Sequence, residues 1–205
     1  MNAIPTVFWP GASGSASVFS PLIPHFKRLK TPKMVDYPGL GDSPSDPQIV
    51  SLDALYEYLV SNLPEPCNLV AMSMGCGLAL RTCIAFPNRI RKLTLIAASG
   101  GVDVVALGGY DWRSEWTLRH PTSPRWFVDD HSNFVADLND IKVPTLLIFG
   151  DADPIAPVTV GQFLEARLPQ AQLQVIPGGT HDLEEQYPAI LAASIEEFLT
   201  NTTLF

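Results

Sequence analysis

Six short apolar runs punctuate the chain: Thr6–Trp9, Lys33–Tyr37, Asn68–Met72, Leu93–Ala97, Thr145–Phe149 and Gln172–Ile176. Most are continuous or nearly so, and rich in aliphatic and β-branched residues. That pattern marks a strand buried on both faces, because helices cover both sides of a parallel sheet. Between the runs the apolar period lengthens to that of a helix. Ser51–Leu63 opens on a serine and sets Leu52, Leu55, Tyr56 and Leu59 at helical spacing. Met74–Phe86 follows a strand directly, and Val158–Leu168 and Pro188–Leu199 complete the set. Strands alternating with helices predict an α/β fold with a mostly parallel sheet of about six strands flanked by helices. Crossovers should be right-handed, with ligands at the carboxyl ends of the strands.

One stretch breaks the alternation. Gly100–Lys142 has no clear strand, yet it carries Trp112, Trp116, Trp126 and Phe127, with Pro121 and Pro124 among them. About forty residues is too long for an ordinary loop in a compact domain. The aromatics need burial, either by closing one end of the core or by walling a pocket under a short helical cap at about 100–142. The two readings are compatible. We expect one domain over residues 1–205 with this cap inserted.

Composition narrows the function. The chain has 205 residues, 46% of them hydrophobic, enough for one sizeable core. Its formal charge is -8, with 13 Lys and Arg thinly spread. Phosphate backbones and anionic bilayers require clustered cations, so neither nucleic acid nor a membrane is an expected partner. No apolar run approaches the roughly 18–20 residues of a bilayer span. The start, MNAIPTVFWPGASGS, lacks the basic and apolar regions of a secretory leader, which leads us to expect a cytosolic protein.

The three cysteines show no metal spacing. Cys76 and Cys83 are seven apart on an expected helix, with Cα atoms roughly 10 Å apart, too far for a disulfide. All three read as small buried hydrophobes. His25, His120 and His131 have no partner at ligand spacing, so no metal is expected. Arg113, Arg119 and Arg125 read as solvated charges. Gly75-Cys76-Gly77 mimics part of a dinucleotide loop. The third glycine and the distal acid are unconvincing and no Gly-Lys-Ser/Thr occurs, so no cofactor is expected.

Chemistry converges on Ser73. It lies in Ala71-Met72-Ser73-Met74-Gly75, between an apolar run and a helix rich in small residues. Small residues two before and two after a serine permit a sharp strand-to-helix turn that holds its hydroxyl proud of the sheet. A helix N-cap serine is the plainer reading. A nucleophilic serine needs a base, and the base an orienting acid. Gly150-Asp151-Ala152-Asp153-Pro154-Ile155-Ala156-Pro157 follows one strand, and Pro177-Gly178-Gly179-Thr180-His181 follows the next. Both segments fall at the sheet edge that carries Ser73. Either Asp151 or Asp153 could serve, although an Asp at that position also stabilises turns.

The sequence resembles the α/β-hydrolase superfamily over nearly its whole length. Trp9-Pro10-Gly11-Ala12-Ser13-Gly14, Asp36-Tyr37-Pro38-Gly39-Leu40-Gly41-Asp42-Ser43, the turn at Ser73, and the two late segments carry the likeness in order. The resemblance implies Ser73 as nucleophile, His181 as general base and Asp153 as its partner. Asp182 would point elsewhere. The backbone N–H groups of Ala12 and Met74 would hold an oxyanion. Pro10-Gly11 stands where the family usually has His-Gly, and Ala71 replaces a glycine. The chain would be a minimal version of the fold.

The expected activity is a serine hydrolase forming an acyl-enzyme on a small to medium carboxylic ester or thioester. Trp112, Trp116, Trp126 and Phe127 would wall the substrate pocket, and the protein would be a monomer or homodimer. A lactonase, C–C bond hydrolase or perhydrolase on the same triad is an alternative. So is a non-catalytic ligand-binding protein on this scaffold.

Overall fold

The computed structural model describes residues 4–201. Six strands form one parallel sheet: β1 (Thr6–Trp9), β2 (Lys33–Met34), β3 (Cys67–Met72), β4 (Ile90–Ile96), β5 (Thr145–Gly150) and β6 (Ala171–Ile176). Their spatial order is β2-β1-β3-β4-β5-β6. The chain starts at β1, steps outward to β2, then returns to lay β3 on the other side of β1. The order therefore reverses between β1 and β3, and a crevice opens at their carboxyl ends. The register aligns those ends, pairing Trp9 with Ala71, Met72 with Ile96 and Gly150 with Ile176.

β3 and β5 are buried along their whole length, as their nearly continuous apolar runs require. Helices cover both faces. They are α1 (Leu52–Ser61), α2 (Gly75–Ala85), α3 (Arg113–Arg119), α4 (Arg125–Val128), α5 (Val158–Glu165), α6 (Leu183–Gln186) and α7 (Pro188–Thr200). Ser51 caps α1 by accepting the Ala54 N–H at 3.1 Å. α7 opens on Pro188, where a missing N–H costs nothing, and buries Leu191, Ala192, Ile195 and Phe198. Ala16–His25 is a 3-10 helix, because Pro21 and Pro24 deny it regular α-helical hydrogen bonds.

β2 is shorter than its apolar run. The Val35 N–H still reaches Phe8 O at 3.1 Å, but the chain then turns away. Asp36 accepts the Ala16 N–H at 2.7 Å, and the Tyr37 hydroxyl donates inward to Pro10 O at 2.9 Å. The strand run ends because its last residues serve the neighbouring loop. The segment expected to break the alternation holds α3, α4 and a single 3-10 turn at Leu138–Asp140.

Cys67, Cys76 and Cys83 are free and buried. Removal from water pushes the Cys67 and Cys83 thiols up to about 12 and raises Cys76 further, so all three stay protonated. Among the described residues no helix is long and apolar enough to cross a membrane, and no His, Cys, Asp and Glu cluster could hold a metal.

Candidate active site

Ser73 follows β3 immediately, at the carboxyl edge of the sheet. Its φ of 51° is left-handed, a conformation that strains a residue bearing a Cβ. Neighbours hold it there. The Ser73 N–H donates to Ile96 O at 2.9 Å, and its carbonyl accepts from the N–H groups of Cys76 and Ser99 at 3.1 and 3.2 Å. The turn is tight enough to need Gly75, where a Cβ would sit 2.2 Å from Pro10 O. The loop after β1 presses in from the other side, and a Cβ on Gly11 would lie 2.8 Å from the Ser73 Cβ.

Three distant side chains meet at this turn. Ser73 Oγ is 2.9 Å from His181 Nε2, and His181 Nδ1 is 2.8 Å from Asp153 Oδ2. Asp153 is 3% exposed, so its charge needs partners. Its second oxygen accepts the N–H groups of Ile155 and Ala156 at 2.8 and 3.1 Å, which fixes the carboxylate plane. Asp151 does not touch the imidazole. It is exposed and accepts the Gly178 N–H at 2.6 Å, tying the loop after β5 to the loop that carries His181.

The Ala12 and Met74 amides flank Ser73, one on the β1 loop and one at the start of α2. Neither N–H has a hydrogen-bond partner among the described residues. The Tyr37 hydroxyl holds the β1 loop from beneath through Pro10 O. Burial raises the Tyr37 pKa well above its ordinary value, so it remains a donor. A cavity of about 280 Å³ opens over Ser73 and His181.

A profile of the alpha/beta hydrolase family matches residues 6–131, more than half of the chain. The chain belongs to this family. Among curated relatives, a pimeloyl-[acyl-carrier protein] methyl ester esterase of Legionella pneumophila is 22% identical over 233 aligned positions, covering 97% of this chain and 96% of the relative. The esterase of the same description from Neisseria meningitidis is 24% identical, covering 92% and 74%. Among solved structures, an alpha/beta hydrolase from a Medee basin deep-sea metagenome library matches with a TM-score of 0.78 at 19% identity, over 100% of this chain and 92% of that one. A thermophilic esterase from Thermogutta terrifontis matches at 0.76 and 18% identity, covering 97% and 90%.

In this alpha/beta hydrolase the expected pocket wall divides. Trp112 and Trp116 line the cavity over Ser73 and meet edge to face, their ring centroids 5.9 Å apart. Trp126 and Phe127 do not line it. Phe127 is buried edge-on against Tyr37 at 6.1 Å, and Trp126 packs on Phe127 at 6.0 Å. This corrects the four-residue wall. α4 turns its aromatics into the core, while α3 faces the cavity.

His120 stacks on Trp116 at 4.0 Å and also lines the cavity of the hydrolase. Asp182, expected to point elsewhere, lines it too. His131 faces a separate cavity of about 300 Å³, and His25 is exposed. Arg113 is not a solvated charge. It donates to Val128 O at 3.1 Å and Asp130 O at 2.6 Å, tethering α3 to the end of α4.

Two residues escaped the sequence reading. Ser99 is buried after β4, and its hydroxyl oxygen lies 3.0 Å from that of Ser73. A serine just past a strand at the same sheet edge is the only signal of it. Glu184 lies three residues after His181, is 2% exposed and lines the main cavity. Its position three residues beyond the histidine is the corresponding signal.

Proposed function

We propose that this alpha/beta hydrolase cleaves small to medium carboxylic esters or thioesters through an acyl-enzyme on Ser73. The observation that carries the reading is the unbroken line from Ser73 Oγ through His181 to Asp153, with contacts of 2.9 and 2.8 Å. His181 Nε2 takes the hydroxyl proton as Ser73 Oγ attacks the carbonyl carbon. Asp153 accepts the Nδ1–H, which fixes the tautomer and stabilises the imidazolium. The unpartnered Ala12 and Met74 N–H groups receive the developing oxyanion. One such donor is worth about 10²–10³ in rate. His181 then protonates the departing alcohol or thiol. Water attacks the acyl-enzyme, with His181 again taking the proton, and releases the acid.

The cavity supports the substrate size. Its volume of about 280 Å³ suits a short or medium acyl chain, and Val18, Met72, Trp112, Trp116 and Ile155 supply an apolar lining. The curated relatives named as methyl ester esterases favour the same bond type. Residues 100–142 act as the cap through α3, and the single domain needs no metal or cofactor for this chemistry.

A panel of p-nitrophenyl esters from acetate to dodecanoate tests the reading, with Ser73→Ala as control. Turnover should peak at short to medium chains and vanish in the variant. Tight ligand binding with no turnover on any ester would instead favour a non-catalytic binding protein on this scaffold.

A further inference from the structure

Among the described residues, Ser73 and Ala97 are the two non-glycine residues with left-handed backbone, at φ 51° and 45°. Strain of this kind persists only where the surroundings enforce it, and it clusters at functional sites. Ala97 lies just past β4, and its N–H donates to Ile148 O at 2.9 Å. The residues that follow it press on the elbow. The Ser99 N–H donates to Ser73 O at 3.2 Å, and a Cβ on Gly100 would lie 2.5 Å from Met74 O. Ser99 is 1% exposed, and its Oγ is 3.0 Å from Ser73 Oγ.

The triad fixes the direction of that last contact. Asp153 is buried and accepts two amides on one oxygen, and its other oxygen meets His181 Nδ1. Neutral His181 therefore carries its proton on Nδ1 and keeps a lone pair on Nε2. Ser73 has one hydroxyl proton and gives it to that lone pair across 2.9 Å. None remains for Ser99. The 3.0 Å contact is then a donation from the Ser99 hydroxyl to Ser73 Oγ. One lone pair of Ser73 Oγ accepts it, and the other is free to attack.

We propose that Ser99 is a catalytic residue whose hydroxyl donates to Ser73 Oγ and stabilises the charge that this oxygen carries in both half-reactions. The inference rests on the serine-hydrolase reading of the site. In acylation the Ser73 proton passes to His181 Nε2 as the bond from Oγ to the carbonyl carbon forms. In deacylation water adds to the same carbon and gives a proton to Nε2. The bond to Oγ then breaks, and the Nε2 proton returns to Oγ. Ser99 keeps its own proton in both. A hydrogen bond strengthens as charge builds on its acceptor. The donation is therefore stronger in each transition state than in the resting hydroxyl or the neutral ester oxygen of the acyl-enzyme. A contact that only fixed the Ser73 rotamer would serve the attack alone, because the ester bond itself holds Oγ once the acyl group is on.

Rapid-mixing kinetics with p-nitrophenyl trimethylacetate separate the two steps, since a hindered acyl group leaves the enzyme slowly. The burst of nitrophenolate gives the acylation rate and counts the competent sites. The steady phase per counted site gives deacylation, whatever fraction of a variant folds. Ser99→Ala should slow both phases, each by about twofold to tenfold. Ser99→Cys fills the same space with a weak S–H donor, and it should slow both phases as well.

A steady phase unchanged in Ser99→Ala overturns the proposal, even where the burst slows. So do wild-type rates in Ser99→Cys. If Ser99→Ala matches wild type while Ser73→Ala is inactive, the proposal falls and the hydrolase reading stands. A wild-type chain with neither burst nor turnover on any ester sinks both.

Discussion

Ser99 Oγ stands 3.0 Å from Ser73 Oγ, on the loop that follows the neighbouring strand. The Ser73 hydroxyl therefore has two partners, Ser99 on one side and His181 on the other. The second contact narrows the rotamers open to a residue whose backbone is already strained. Ser99→Ala should lower kcat by about twofold to tenfold with little change in KM, the cost of one positioning hydrogen bond. Steady-state kinetics on a single ester checks it.

Asp151 and Asp153 are two residues apart and do different work. Asp153→Asn presents an amide where His181 Nδ1–H needs an acceptor, and it should lower kcat by about 10⁴. Asp151→Asn weakens one bond to the Gly178 N–H and should leave kcat within about tenfold, with about 1 kcal/mol less stability. Parallel kinetics and urea unfolding of the two variants separate the roles. Equal losses of activity would remove the assignment of Asp153.

Glu196 and Glu184 predict opposite responses to pH. Glu196, on α7, accepts the N–H groups of Lys27, Arg28 and Leu29 at 3.0, 2.6 and 2.6 Å. Those bonds outweigh its desolvation and lower its pKa in the folded state. Its stabilisation is present above the unfolded value near 4.5, and is lost as pH falls through the lowered folded value. Glu196→Gln should cost about 2 kcal/mol near neutrality and progressively less in acid.

Glu184 is raised from 4.5 to about 7, so the folded state holds its proton longer than the unfolded chain. Stability is then lost as pH rises from about 4.5 to about 7. Glu184→Gln should gain on wild type across that window, by about 3 kcal/mol at most. Chemical unfolding should show the Glu196→Gln deficit shrinking as pH falls from about 5 to about 3, and Glu184→Gln gaining on wild type as pH rises from about 5 to about 8.

Gly75 allows the elbow to close on the β1 loop. Gly75→Ala would place a methyl group 2.2 Å from Pro10 O and 3.0 Å from the Tyr37 hydroxyl oxygen. The loop must move, and the Ala12 amide moves with it. The variant should lose about 1–3 kcal/mol of stability and more than about tenfold in kcat. A thermal melt and an ester assay read the two effects together.

Much of the fold was legible because a parallel sheet imposes a local signature. β3 and β5 are buried on both faces, and their sequences are apolar but for Asn68 and Thr145. Ser73, Asp153 and His181 were legible because Ser73 follows β3 directly and the other two lie in the short loops that leave β5 and β6, so one sheet edge brings all three together. β2 was overread, since Asp36 and Tyr37 resemble strand continuation until their partners Ala16 and Pro10 are known. The direction of the aromatics was not legible either. Trp112 and Phe127 are both apolar and both buried, and only the packing of Phe127 on Tyr37 tells one from the other. Ser99 gains its meaning from Ser73, far away in the chain, and no local pattern records that contact.

The most direct test of the account is the identity of the acylated residue. The protein is mixed with p-nitrophenyl acetate, quenched in acid within the first turnover, digested and mapped by mass spectrometry. An acyl-enzyme on Ser73 gives one acetyl adduct, on the peptide containing that residue, and none in Ser73→Ala. Undiminished turnover by Ser73→Ala, or an adduct on another residue that forms and decays at the rate of turnover, would contradict it.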